Sequence, residues 1–214
     1  MPNGLLFVIS GPSGVGKTTL LQTLIPRWNS LYANQEGQKG LEFSVSYTTR
    51  APRAMEENGR DYFFVTPEKF QQLIAGQEFL EHALVHGHRY GTSKSFVEQR
   101  LGQGINVVLD VDVQGALNVK KAIPPAILIF IAPPSFSEMV ERLTKRGTEK
   151  AESLQQRIQD ASWELEQMVH FDFLLENAQL SRAEEDLFSI LRSENLRIVP
   201  GSTLLQKYMP EKSG

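Results

Sequence analysis

A chain of 214 residues, 41% of them hydrophobic, has enough apolar surface to close a substantial core as one domain, and its composition is that of a globular protein. A net charge of −3 argues against an extended nucleic-acid footprint and leaves room only for local basic sites that meet single phosphates. The absence of cysteine removes disulfides and thiolate chemistry together, which fits a reducing, cytoplasmic setting.

The first strand is expected at 5–10, an apolar run with no basic residue before it and too short for a signal peptide or a membrane span. It feeds GPSGVGKTT at 11–19, which matches G-x-x-x-x-G-K-[ST] and opens a helix expected over 17–25. Gly11 and Gly16 take the fixed positions, with Gly14 a further permissive one. Together with Pro12, Ser13, Val15 and Thr19 they let backbone N–H groups turn inward onto phosphate oxygens. Lys17 is then a point charge for the β/γ-phosphates, Thr18 a hydroxyl for Mg²⁺, and the helix start a positive dipole end.

From 43 to 92 the rhythm breaks into short extended pieces at 43–48, 62–65, 79–85 and 88–91, which read as an inserted subdomain. A helix at 95–102, a strand at 105–111 and a helix at 114–122 follow. The proline-bounded run at 126–132 suits a buried parallel strand. Helices are expected at 135–145 and 153–169, with Ser135 and Ser153 as caps. The charged stretch 147–152 between them reads as a mobile loop or a plain solvated connection. A strand at 171–175, a helix at 183–193 and a polar tail from 195 complete an α/β pattern: a parallel sheet with helices on both faces, whose ligands gather at the strand carboxyl ends.

Several polar residues carry chemistry worth naming. Arg50 and Arg53 form a candidate guanidinium clamp on one phosphate, with Tyr62 and Tyr90 as hydroxyl donors; by residue type alone they read sooner as surface charges and ordinary sheet residues. Glu81 can accept two donor hydrogens from a base edge, with hydroxyls of Ser46 and Thr92 beside it, or be a solvated acid near ordinary sheet hydroxyls. Arg142 and Arg146, four apart, project from one helical face, toward phosphates or toward Glu141, Glu149 and Glu152. His82, His86 and His88 do not read as a metal site, because in an extended segment His82 need not converge with the other two.

Taken in order, the loop at 11–19, SVSYTTRAPR at 44–53, ENGRDYFFV at 57–65, EFLEHALVHGHRYGTS at 78–93, VLDVDVQG at 108–115, FIAPPS at 130–135 and RLTKRGTE at 142–149 make the chain resemble the guanylate kinase family over about 5–193. The resemblance implies a P-loop NTPase-type parallel sheet flanked by helices, an inserted mixed α+β GMP-binding subdomain and a mobile lid. It divides 1–194 into a core (4–43, 94–145 and 159–194), an insert (44–93) and a lid (146–158), with a tail at 195–214. The implied activity is transfer of a phosphoryl group from ATP to GMP, with dGMP a second acceptor, Mg²⁺ carried by the nucleotide, and no nucleic-acid or membrane partner; a homo-oligomer is left open.

By the same resemblance Ser46, Glu81 and Thr92 read guanine with help from Asp112, while Arg50, Arg53, Tyr62 and Tyr90 hold the acceptor phosphate. Lys17, Arg142, Arg146 and Arg157 meet the transferring phosphates, and Asp110 joins Thr18 in serving the metal. Asn177 falls near the donor base, although ENAQ stands where an acidic pair commonly follows the Asn. PRAMEENG lacks the family's usual Pro-Gly, which places Ala54 and Met55 in the loop around Arg53. Two other readings compete: a catalytically silent guanylate kinase-like binding module, opposed by the intact donor loop, and a P-loop kinase for another small phosphorylated acceptor, opposed by the Ser46, Glu81 and Thr92 set.

Overall fold

The structure, a computed structural model, describes residues 4–33, 39–85, 87–145 and 151–197. In chain order it has β1 (Leu6–Ser10), α1 (Lys17–Tyr32), β2 (Leu41–Phe43), β3 (Tyr47–Thr48), β4 (Phe63–Phe64), α2 (Pro67–Ala75), β5 (Phe79–Val85), β6 (His88–Ser93) and α3 (Lys94–Gly102). There follow β7 (Asn106–Asp110), α4 (Val113–Ala122), β8 (Ile127–Ala132), α5 (Phe136–Lys145), α6 (Ala151–Glu166), a 3-10 turn (Gln167–His170), β9 (Phe173–Glu176) and α7 (Leu180–Leu196).

Side-chain alternation along the strands decides the layering. Phe7, Ile9, Val108, Ile127, Ile129 and Ile131 point to one face of a sheet and pack with α1 and α7. Leu6, Val8, Val107, Leu109 and Leu128 point to the other and pack with α3 and α4. Strands buried on both faces read as unbroken apolar runs, as these do. The sheet has the order β2-β7-β1-β8-β9 and every pairing in it is parallel, so β1 and β7 end side by side at its centre. The sequence-based α/β expectation holds.

A second sheet, β4-β3-β6-β5, is mixed: β3 runs parallel to β4 and antiparallel to β6, and β5 and β6 form a hairpin. Its apolar side is closed by α2, from which the fully buried Phe70 ring lies 4.6 Å from that of Phe79. The 43–48 piece expected as one strand is therefore split, with Phe43 in the large sheet and Tyr47–Thr48 in the small one. Helix α2 was not anticipated, although Thr66 caps it by accepting from Lys69 N at 3.2 Å and Pro67 occupies its first position.

Helix α1 runs past the expected end at 25, through the exposed Pro26. A proline there leaves one carbonyl unbonded, which costs little where water can reach it. The far turn is anchored instead by side chains: Trp28 donates to Lys39 O at 2.9 Å, while Asn29 accepts from Leu41 N at 2.8 Å and donates to Leu41 O at 2.9 Å. Ser135 does cap α5, accepting from Glu138 N at 3.1 Å. Ser153 does not start α6, which already begins at Ala151. The expected tail also starts later, since α7 continues to Leu196 and Asn195 accepts from Asn106 at 3.0 Å; residues 198–214 lie outside the described residues. Among the described residues no helix is long and apolar enough to cross a membrane.

Candidate active site

The turn after β1 is built by steric exclusion. Gly11 has φ +136°, and a Cβ on it would stand 2.2 Å from the carbonyl oxygen of Ile131, so only glycine fits against β8. The buried Asn177 donates its amide to Val15 O at 2.6 Å and supports the loop from behind. Lys17, at the start of α1, donates Nζ to Gly11 O at 2.8 Å and lies 3.9 Å from Asp110 Oδ1. Thr18 donates to Asp110 Oδ2 at 3.5 Å. Burial pushes the Asp110 carboxyl above its ordinary range, against the pull of Lys17 and Thr18.

The facing wall comes from the β5–β6 hairpin. Its register shifts between Phe79 and Glu81, and such an irregularity re-aims the residues that follow. Glu81 faces inward, 7% exposed, opposite Thr92, whose hydroxyl donates to Glu81 Oε1 at 2.7 Å, whereas His82 and Leu84 face out. Asp112 caps α4 by accepting from Gly115 N at 3.0 Å. A Cβ on Gly115 would stand 2.8 Å from both Asp112 Oδ1 and Glu81 Oε2, so this glycine lets two carboxylates converge. Burial first and Asp112 next push the Glu81 carboxyl up to about 7, although Thr92 opposes them.

Arg50 donates Nη2 to Glu56 Oε1 at 2.8 Å, and its guanidinium stands 5.4 Å from the centre of the Tyr62 ring. The other Glu56 oxygen accepts from Arg53 N at 2.8 Å, so one carboxylate shapes the loop that carries both arginines; Arg50 holds that carboxyl below its usual range. The Arg53 side chain remains 78% exposed. Tyr62 and Tyr90 meet edge-on with centroids 5.9 Å apart, and burial raises the Tyr62 phenol to about 12.

These groups share one cleft of about 690 Å³ at the carboxyl ends of β1 and β7. Gly11, Ser13, Gly14, Gly16, Lys17, Thr18 and Thr19 line it from the loop. Ser46, Arg50, Arg53, Tyr62, Glu81 and Tyr90 line it from the small sheet and its loop, and Asp110 and Asp112 lie between. Thr92 joins through Glu81, while Val15 is buried in the core and Pro12 and Asn177 are buried away from the cleft lining. Arg142 and Arg157 are on α5 and α6 with side chains outside the described residues; Arg146 and His86 lie outside them altogether. Sequence reasoning missed Glu56, Gly115 and Glu164, the last lining the cleft from α6. Only Glu56 had a local signal, three residues after Arg53. Among the described residues no group of three or more His, Cys, Asp or Glu is arranged to hold a metal ion.

The guanylate kinase family model matches residues 4–194. A protein named guanylate kinase from Thermotoga maritima is 44% identical over 211 residues, spanning 99% of this chain and 97% of its own. Another of that name, from Neisseria meningitidis serogroup A, is 46% identical over 194 residues, 91% of this chain and 90% of its own. Among solved structures, the crystal structure of guanylate kinase from Anaplasma phagocytophilum superposes with a TM-score of 0.72 at 29% identity, covering 92% of this chain and 89% of that one.

Proposed function

The chain belongs to the guanylate kinase family, and from that premise we propose how its cleft transfers the γ-phosphoryl group of ATP to GMP, giving ADP and GDP. One observation carries the assignment of residues: the buried Glu81–Thr92 pair faces the same cleft as the phosphate-binding loop. Guanine presents a ring N–H and an amine as paired donors. The Glu81 carboxylate accepts both, Ser46 and Thr92 supply hydroxyls to the base edge, and Asp112 supports the arrangement. The acceptor phosphate falls to Arg50, Arg53, Tyr62 and Tyr90. The base and the phosphate that these groups meet are the same in dGMP, which we propose as a second acceptor.

A phosphomonoester has a second pKa of about 6, so its oxygen is already nucleophilic at neutral pH and the site needs no general base. Catalysis is alignment plus charge compensation. Lys17 leaves the carbonyl of Gly11 and meets the donor phosphates, whose oxygens sit against the N–H groups of 11–19; Asn177 keeps the loop in shape from behind. Thr18 and Asp110 offer only hard oxygen donors, and the half-buried Asp110 carboxylate is stabilised by a cation, so both fit Mg²⁺ brought by ATP. Held by Thr18 and Asp110, Mg²⁺ would supply positive charge to offset that of the transferring phosphoryl group. The family resemblance assigns Arg142, Arg146 and Arg157 to charge compensation on the transferring group. The division follows: core 4–43, 94–145 and 159–194, acceptor insert 44–93, lid 146–158. A cytoplasmic location accords with the absence of cysteine.

A coupled assay of GMP, AMP, CMP and UMP with ATP and Mg²⁺ tests this reading. GMP is expected to lead in kcat/KM by orders of magnitude; comparable rates with AMP would remove the base-reading role from Glu81.

A further inference from the structure

Helix α6 brings to the cleft a carboxylate that the transfer scheme does not use. Glu164, half-buried in the last turns of the helix, lines the same space as Lys17 and Asp112. The neighbouring acids are committed, Asp110 to Thr18 and Asp112 to the start of α4. Glu164 makes no hydrogen bond or ion pair among the described residues. Burial raises its carboxyl to about 7; Lys17 attracts its charge, while Asp112 and Asp160 repel it.

An unpaired carboxylate in such a place weakens folding and repels two incoming anions, so neither packing nor substrate capture accounts for it. Lys17 is the group with something to gain. Its ammonium is engaged by the Gly11 carbonyl at 2.8 Å and stands 3.9 Å from Asp110, and it must leave that carbonyl to reach a phosphate. We propose that Glu164 is a positioning residue for Lys17, drawing the ammonium off the loop carbonyl and steadying it where the phosphoryl group is transferred. This rests on the reading of Lys17 as the ligand of the donor phosphates.

The test compares Glu164→Gln, Glu164→Asp, Lys17→Met and the Glu164→Gln, Lys17→Met double variant in the full chain. It measures thermal unfolding without ligand, calorimetric affinity for a non-hydrolysable ATP analogue with Mg²⁺, and single-turnover transfer to GMP. Glu164→Gln is expected to melt at or above the wild-type temperature, since a neutral amide replaces a desolvated acid. Its transfer step should slow by about tenfold or more while KM for ATP stays level or falls, because repulsion is relieved as orientation is lost. Glu164→Asp should recover part of the rate. In analogue affinity the two substitutions should be non-additive by about threefold or more. A Lys17→Met variant with wild-type transfer would sink the donor reading itself. If that variant is inactive, the proposal for Glu164 alone falls on any of these outcomes: wild-type transfer in Glu164→Gln, a lowered melting temperature or failure to fold, a rise in KM matching the loss of rate, or additive substitutions.

Discussion

Glu81 answers opposing demands, and its protonation makes them measurable. The proposed guanine contact requires the ionised form, yet burial and Asp112 hold the carboxyl up to about 7. An unfolded Glu titrates at about 4.3, so between that value and about 7 the folded state binds more protons than the unfolded one. The stabilising contribution is therefore complete below about pH 4.3 and lost as pH rises through the folded pKa. Ligand-free Glu81→Gln should melt above wild type at pH 8 by scanning calorimetry, with the gap closing toward pH 4. The same variant should lose roughly 2–4 kcal/mol of transition-state stabilisation for GMP and far less for AMP, read from kcat/KM. Gly115→Ala probes the same carboxylates without touching a ligand group. Its methyl would stand 2.8 Å from Glu81 Oε2 and Asp112 Oδ1, so it should raise KM for GMP by about tenfold while leaving affinity for an ATP analogue unchanged. Glu81 was singled out through the family resemblance, since by residue type alone it reads as a solvated acid. Gly115 was not, since its role exists only where a distant strand presses on α4.

At the level of elements, what reads from sequence is what has a local cause. The central strands announce themselves as proline-bounded or glycine-bounded apolar runs, and the loop at 11–19 carries its own spacing rule. Helix α1 shows the opposite case, because Pro26 is a local stop signal that tertiary bonds override. Asn29 is the chief instrument of that override, satisfying both backbone groups of Leu41 at the start of an edge strand. Asn29→Ala should therefore cost about 2–3 kcal/mol in denaturant unfolding, from two lost bonds and the unpaired groups left behind. Twelve residues of helix, about 18 Å, separate Asn29 from Lys17, so kcat at 25 °C should be unchanged. A loss of turnover without a loss of stability would mean that α1 transmits strain to the loop. The split of 43–48 between two sheets has no local signature either, because each half finds its partner strand far along the chain.

Across the whole molecule the proposed roles fall to different sheets, the donor loop to the large one and the acceptor wall to the small one, so binding and transfer should be separable. Arg50, Arg53, Tyr62 and Tyr90 all line or adjoin the acceptor side, and Glu56 already holds Arg50 in place before any ligand arrives. On the proposed assignment, capture of the acceptor phosphate would not require 146–158. If Arg146 instead stabilises charge on the phosphoryl group in flight, Arg146→Lys should lower kcat by about tenfold or more, because a point charge cannot reproduce the planar fork of a guanidinium. GMP affinity measured by calorimetry without ATP should barely change, and single-turnover kinetics should place the whole loss in the chemical step. Weakened GMP binding with an unaltered chemical step would move Arg146 to the acceptor wall and make capture a joint act of both parts of the molecule.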